Sequence, residues 1–324
     1  MQAAWKIIEK EFPWITCTCC APHVLSLLLK DIGKLPEIAS VLAKVKRVLN
    51  RFWGRKRWAR NKLREVTEKN HGRKLGLYRA VETRFAGRVK EMGRMLRLKA
   101  DLKYIVDTPE YAAQDFRTAT TGEDDDDADS GDDDVKSILQ DENGFWKPLV
   151  AALKVMVPVV KVLRMCDGNK PVIGKIYDKM FMLLNTVSGL NVPWAAKVKE
   201  LVEARWEYLH SPMHAAGYAL DPEFMAHTKN WDDHVNDGVI EAANRLCLRE
   251  AILRSEDPKA ARKELTRNSD AVVALSAECD LQITAYCEKT VDVFTEKKVL
   301  VNAKKMAPAS WWKRYGGKLP LLSK

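Results

Sequence analysis

No stretch of this 324-residue chain is apolar enough for long enough to cross a membrane. The strongest run near the N-terminus, Val24 to Leu29, ends at Lys30 and Asp31, far short of the ~20 residues a spanning helix needs. Lys6, Glu9, Lys10 and Glu11 stand where a secretory signal would carry its apolar segment, so no such signal is expected. Phosphate-cradling glycine loops, G-x-S-x-G elbows and H-E-x-x-H helices are all missing, which removes the usual sequence warrants for nucleotide, acyl-transfer and zinc-protease chemistry. Strand-like segments are nearly absent after residue 20.

Cysteine is present, but not as a framework. Seven residues, an odd number without paired spacing, suit a reducing compartment. Cys17, Cys19, Cys20 and His23 are close enough in sequence to suggest zinc, yet structural zinc sites pair two separated ligand couples and no second couple follows. The expectation is no metal there, with the thiols buried at a strand-to-helix junction. His210 and His214 are four apart, but Pro212 interrupts them and no carboxylate completes a ligand set.

What is present is helix-forming sequence and charge. Apolar residues make up 46% and charged residues 30%, an ordinary globular balance in a chain long enough to bury a sizeable core. The formal charge of +10 is unevenly divided. Glu123, Asp124, Asp125, Asp126, Asp127, Asp129, Asp132, Asp133 and Asp134 place nine negatives in one tract, which leaves the rest of the chain near +19. Between Lys44 and Lys103 there are 21 Lys or Arg against five Asp or Glu, a net +16. Basic density of that kind is the footprint of a polyanion binder.

Along the chain, residues 1–20 read as a short helix, a break at Pro13 and a strand around Trp14 to Thr18. Pro22 suits the first turn of a following, largely apolar helix that Gly33 closes. Ile38, Val41, Leu42, Val45, Val48, Leu49 and Phe52 then recur at helical spacing, and Leu75 to Ala100 repeats the pattern after the His71-Gly72 break. The acidic segment, about residues 112–136, has too little to bury and is expected to be a disordered loop. Helices are expected again from Phe145, with Pro158 a kink, and over 171–188, 193–209, 232–256 and 258–302. The fold class is mainly α with one N-terminal strand, which by itself has unpaired edges.

The densest chemistry lies in Arg51-Phe52-Trp53-Gly54-Arg55-Lys56-Arg57-Trp58-Ala59-Arg60. Basic residues interleaved with aromatics offer phosphate contacts beside stacking faces, so Arg51, Trp53, Arg55, Lys56, Arg57, Trp58 and Arg60 are candidate DNA contacts.

Four motifs in order resemble those of hAT-family DNA transposases across residues 5–320. They are Cys20-Ala-Pro-His23 with the Leu-rich helix after it, Phe145-Trp146 through Arg164 to Asp167 and Pro171, Arg205-Trp206 through Leu209-His210-Ser211-Pro212 to Phe224, and Trp311-Trp312 to Leu319. The resemblance implies an RNase H-like core (a piece at 1–34), a helical insertion domain over 35–300, and the start of a C-terminal dimerisation region at 301–324. It further implies a nuclear DNA-binding protein with self-association or a parent-like transposase chain as partner. The family cuts DNA with three carboxylates that bind a divalent metal such as Mg²⁺. Asp31, Asp167 and Asp221 do not match those positions, and the matching ones are expected outside this chain. By the same resemblance Cys20 and His23 would lie beside an active site, and Arg84-Phe85 would match an Arg-aromatic pair that stacks on unpaired bases. Phe85 has a smaller face than the usual Trp, and packing in a helix core is its alternative. The reading is a non-catalytic DNA-binding remnant. An active enzyme completed by carboxylates from elsewhere, or an inert fragment, are its competitors.

Overall fold

Helical periodicity carries through most of the chain. The computed structural model describes residues 2–53, 57–80, 85–114 and 133–323. Among these residues the regular elements are helical and no strand forms. In chain order the helices are α1 (Gln2–Glu11), α2 (Ala21–Gly33), α3 (Pro36–Trp53), α4 (Trp58–His71), α5 (Phe85–Arg97), α6 (Lys99–Val106), α7 (Pro109–Ala112), α8 (Asp133–Gln140) and α9 (Lys147–Cys166). There follow α10 (Ile173–Ser188), α11 (Ala195–Leu209), α12 (Pro212–Ala219), α13 (Asp233–Arg254), α14 (Pro258–Glu264), α15 (Asp270–Glu288), α16 (Lys297–Ala303) and α17 (Pro308–Tyr315). None is long and apolar enough to cross a membrane.

Two compact units interleave along the chain. One comprises Pro22–Arg164 and Leu183–Arg205, the other Met1–Ala21, Met165–Met182 and Trp206–Lys324. In the first, the stripe read from α3 is the buried face: Ile38, Val41, Val45, Val48, Leu49 and Phe52 are nearly inaccessible, packed towards α4, α5 and α8. Helix α4 ends at Gly72, whose φ of 68° is the left-handed turn that glycine adopts without strain. Helix α9 runs through Pro158. Asp31 at the end of α2 pairs with Arg205, whose Nε donates to Oδ2 at 3.2 Å. Burial opposes ionisation of Asp31, but the bonds from Arg205 and Lys34 outweigh it and hold its carboxyl below the usual range.

In the second unit, α13 packs against α12, α14 and α15. Gly174 and Gly217 let α10 and α12 touch backbone to backbone, since a Cβ on Gly174 would come 2.2 Å from the Gly217 carbonyl oxygen. Trp311, Trp312, Tyr286 and Phe294 fill an aromatic core near the C-terminus.

Four expectations are corrected. Residues 14–18 form no strand, because side chains satisfy the local backbone instead. Cys17 N donates to Glu9 Oε1 at 2.8 Å, and the Ile15 carbonyl accepts from Arg245 Nη1 at 2.6 Å. Residues 75–80 are not helical: the Thr67 hydroxyl accepts from Leu75 N at 2.9 Å, and buried Glu91 accepts from Ala80 N at 2.7 Å. The helical span 258–302 is divided. The Ser269 hydroxyl accepts from Thr266 N at 2.9 Å before α15, and Lys289, at φ 55°, ends it. The acidic tract lies largely outside the described residues. Its expected far boundary at 136 falls inside α8, where Val135, Ile138 and Leu139 are buried.

Candidate nucleic-acid interface

Helix α3 ends on Trp53, which keeps 40% of its surface exposed while its neighbour Phe52 is buried. The next described residues open α4, with Arg57 exposed at its start. One turn on, the Arg60 guanidinium sits 5.7 Å from the Trp53 ring centroid, a cation–π arrangement. Arg60 Nε is sequestered without a hydrogen-bond partner. Trp53, Arg60, Arg64 and Gly76 border a small cleft floored by buried Phe52, Leu63 and Leu77. The irregular segment held by Thr67 therefore closes one side of the candidate site.

That same segment supplies a second pair which the sequence reading missed. Tyr78 is 40% exposed, and Lys90 Nζ of α5 lies 5.8 Å from its ring centroid. Arg73, Lys74 and Arg79 around it are exposed. The available signal was an aromatic set among cations, as in residues 51–60, but the helical pattern drawn through Leu75 and Leu77 hid it. Some of the regional charge is already matched: Lys99 and Lys103 donate to Glu142 at 2.6 and 2.9 Å, and Lys74 lies 3.5 Å from Glu68. The field at the cleft is thus weaker than a count of cations suggests, since neighbouring carboxylates offset part of it.

The other expected site residues divide as follows. Arg51 is half-buried on α3, and Trp58 is half-buried with its ring 6.2 Å from Tyr111. Arg55, Lys56 and Arg84 lie outside the described residues. Phe85 opens α5 with its ring against the end of α2: a Cβ added to Gly33 would stand 1.9 Å from Phe85 Cζ. Its smaller face is thus committed to packing over a glycine. His23 is exposed in the first turn of α2. The thiols expected to be buried are not: Cys20 is exposed, while Cys17 and Cys19 are half-buried, with Cys19 Sγ donating to the Tyr208 carbonyl at 3.3 Å.

The segment from Trp206 to Tyr218 forms a ring cluster. Trp206 and His210 lie 4.9 Å apart, Tyr177 stacks on Tyr218 at 5.1 Å, and His214 is buried with its Nδ1 2.9 Å from Ser211 Oγ. Burial first, and His210 second, push the His214 pKa down to about 4. A depressed histidine favours the folded state fully above its unfolded value near 6.5, and that contribution is lost as pH falls towards 4. Its size is on the order of 2–3 kcal/mol. Thermal midpoints measured from pH 7.5 to 4.5 should therefore fall more steeply for the wild type than for His214→Gln. Parallel curves would show that His214 titrates normally.

No family model matches the sequence, and no curated protein or solved structure matches it either.

Proposed function

We propose that this chain binds DNA, using the exposed aromatics and cations of α3, α4, α5 and the segment between α4 and α5, and that it does so without cutting it. The observation that carries the reading is the cleft where Trp53 meets Arg60 and Arg64. An exposed indole bordered by guanidinium groups offers a base a stacking face and its phosphate a cation in one place. Tyr78 with Lys90 repeats the arrangement on a neighbouring element. The net +16 between Lys44 and Lys103 supplies the long-range attraction.

The resemblance of the motif order to hAT transposases supports the same partner, with the chain as a non-catalytic relative of that family's helical insertion region. Two of the acidic residues within the motifs have other employment. Asp31 is engaged by Arg205, and Asp221 accepts from Glu223 N at 3.0 Å to cap the turn that follows.

Trp53→Ala tests the stacking. Loss of one base–aromatic stack is worth ~1–3 kcal/mol, so affinity for single-stranded or flanking-end DNA should fall roughly 5- to 150-fold. Affinity for plain duplex, whose base faces are covered, should change much less. Fluorescence anisotropy on matched oligonucleotides separates the two, and Trp53→Phe should recover part of the loss. An unchanged single-strand affinity would remove Trp53 from the interface.

A further inference from the structure

The second unit contains a cavity of about 600 Å³ that the DNA-binding reading does not use. Its wall is mostly apolar, with Val239, Leu246 and Ile283 among the lining residues and Arg249 and Glu250 also on it. Two of the lining groups are thiols: Cys247 of α13 and Cys279 of α15. Both helices face each other and both cysteines belong to one apolar cluster, where they are almost inaccessible from the outer surface.

We infer that Cys247 and Cys279 form an oxidation site, a thiol pair that a small peroxide or low-molecular-weight disulfide reaches through the cavity and converts to a reversible cross-link between α13 and α15. Three features of the site combine here. Apposed helices place both thiols in one apolar cluster, and a disulfide needs two such facing side chains. The cavity gives a buried pair a route to a small oxidant. Each thiol also shifts the other's titration. Either can be the nucleophile; with Cys247 attacking first, Cys279 is the resolving thiol.

With hydrogen peroxide the chemistry balances in two steps. The Cys247 thiolate attacks one peroxide oxygen, the O–O bond breaks, and hydroxide leaves and takes up a proton as water, giving a sulfenic acid. Cys279, deprotonated as it reacts, attacks that sulfur and displaces hydroxide, which leaves as a second water. One peroxide is reduced and two thiols are oxidised to one disulfide. A cellular reductant of the dithiol class reverses the bond by thiol–disulfide exchange.

The full-length chain, fully reduced and then exposed to hydrogen peroxide under native conditions, tests this. Of its seven thiols, two should be lost to a thiol reagent, and dithiothreitol should restore both. Trypsin should release residues 246–249 joined to residues 268–289. Because the second peptide also contains Cys287, fragmentation must place the link on Cys279. Cys279→Ser should stop at a sulfenic acid on Cys247 that a dione reagent traps, and Cys247→Ser should lose the cross-link altogether. A link through Cys287, a link among Cys17, Cys19, Cys20 and Cys166, or oxidation that dithiothreitol does not reverse would overturn the proposal. The wild-type peptide map decides it even where a variant folds poorly.

Discussion

DNA affinity of the intact chain is expected to fall roughly 10³-fold or more between 50 and 200 mM salt, as it does for proteins making about 6–10 phosphate contacts. The expectation follows from the 21 basic against five acidic residues between Lys44 and Lys103, because each phosphate neutralised releases condensed counterions. Replacing Arg55, Lys56, Arg57 and Arg60 together with Ala should lower the slope of log affinity against log salt by up to ~0.9 for each contact removed. The slope carries more information than affinity at one salt concentration. A variant that binds weakly because it is damaged loses affinity at every salt, whereas one that lacks phosphate contacts loses salt dependence. Arg60 has a second role over the Trp53 ring, so Arg60→Lys, which keeps the charge but not the planar group, should restore the slope more fully than the single-strand preference. Salt-insensitive binding, or a quadruple variant with the parental slope, would end the nucleic-acid reading, while leaving the thiol pair in the other unit untouched.

Trp311→Ala is expected to be the most destabilising single replacement in the C-terminal core. The indole is fully buried, stacks on Phe294 at 5.5 Å, meets Trp312 and Tyr315, and donates from Nε1 to the Val299 carbonyl at 3.2 Å. Truncation removes one of the two buried indoles of that core together with the Nε1 donor to the Val299 carbonyl, a loss of about 3–5 kcal/mol. At the size of these units that corresponds to roughly 6–20 °C in the midpoint of thermal unfolding. Trp311→Phe should retain most of the packing but not the hydrogen bond, and so fall between the two. Trp53→Ala, at an exposed helix end, is the internal control and should stay within about 0.5 kcal/mol of the parent. Equal midpoints for all four proteins would mean that the aromatic core near the C-terminus contributes little to stability.

Trp53 and Trp311 also show how far sequence reasoning reaches. Both lie in runs of aromatic and basic residues, and nothing in the local pattern separates an exposed indole from a buried one. The apolar stripe of α3 was legible, because a period of 3.6 places Ile38, Val41, Val45, Val48, Leu49 and Phe52 on one face whatever that face meets. So were the helix starts at Pro22 and Pro258, since proline fits a first turn and little else in a helix, whereas Pro212, read as a break, opens α12. The concentration of positive charge between Lys44 and Lys103 is likewise a property of the chain alone.

Side-chain contacts that the local pattern does not encode decided the rest. Trp14 to Thr18 has strand composition, yet Glu9 and Arg245 satisfy its backbone, the latter from 230 residues away. The Leu75 segment carries a helical pattern, but Thr67 and Glu91 hold its backbone outside any helix, and that is what closes the Trp53 cleft and presents Tyr78. Phe85 is drawn over Gly33, 52 positions earlier. Cys247 and Cys279 have no recognisable spacing and share one apolar cluster only because α13 and α15 pack together. Composition and period record which residues must leave water. Which neighbour then satisfies each buried amide, ring or thiol is set by packing, whose free energy depends on residues far apart in the chain.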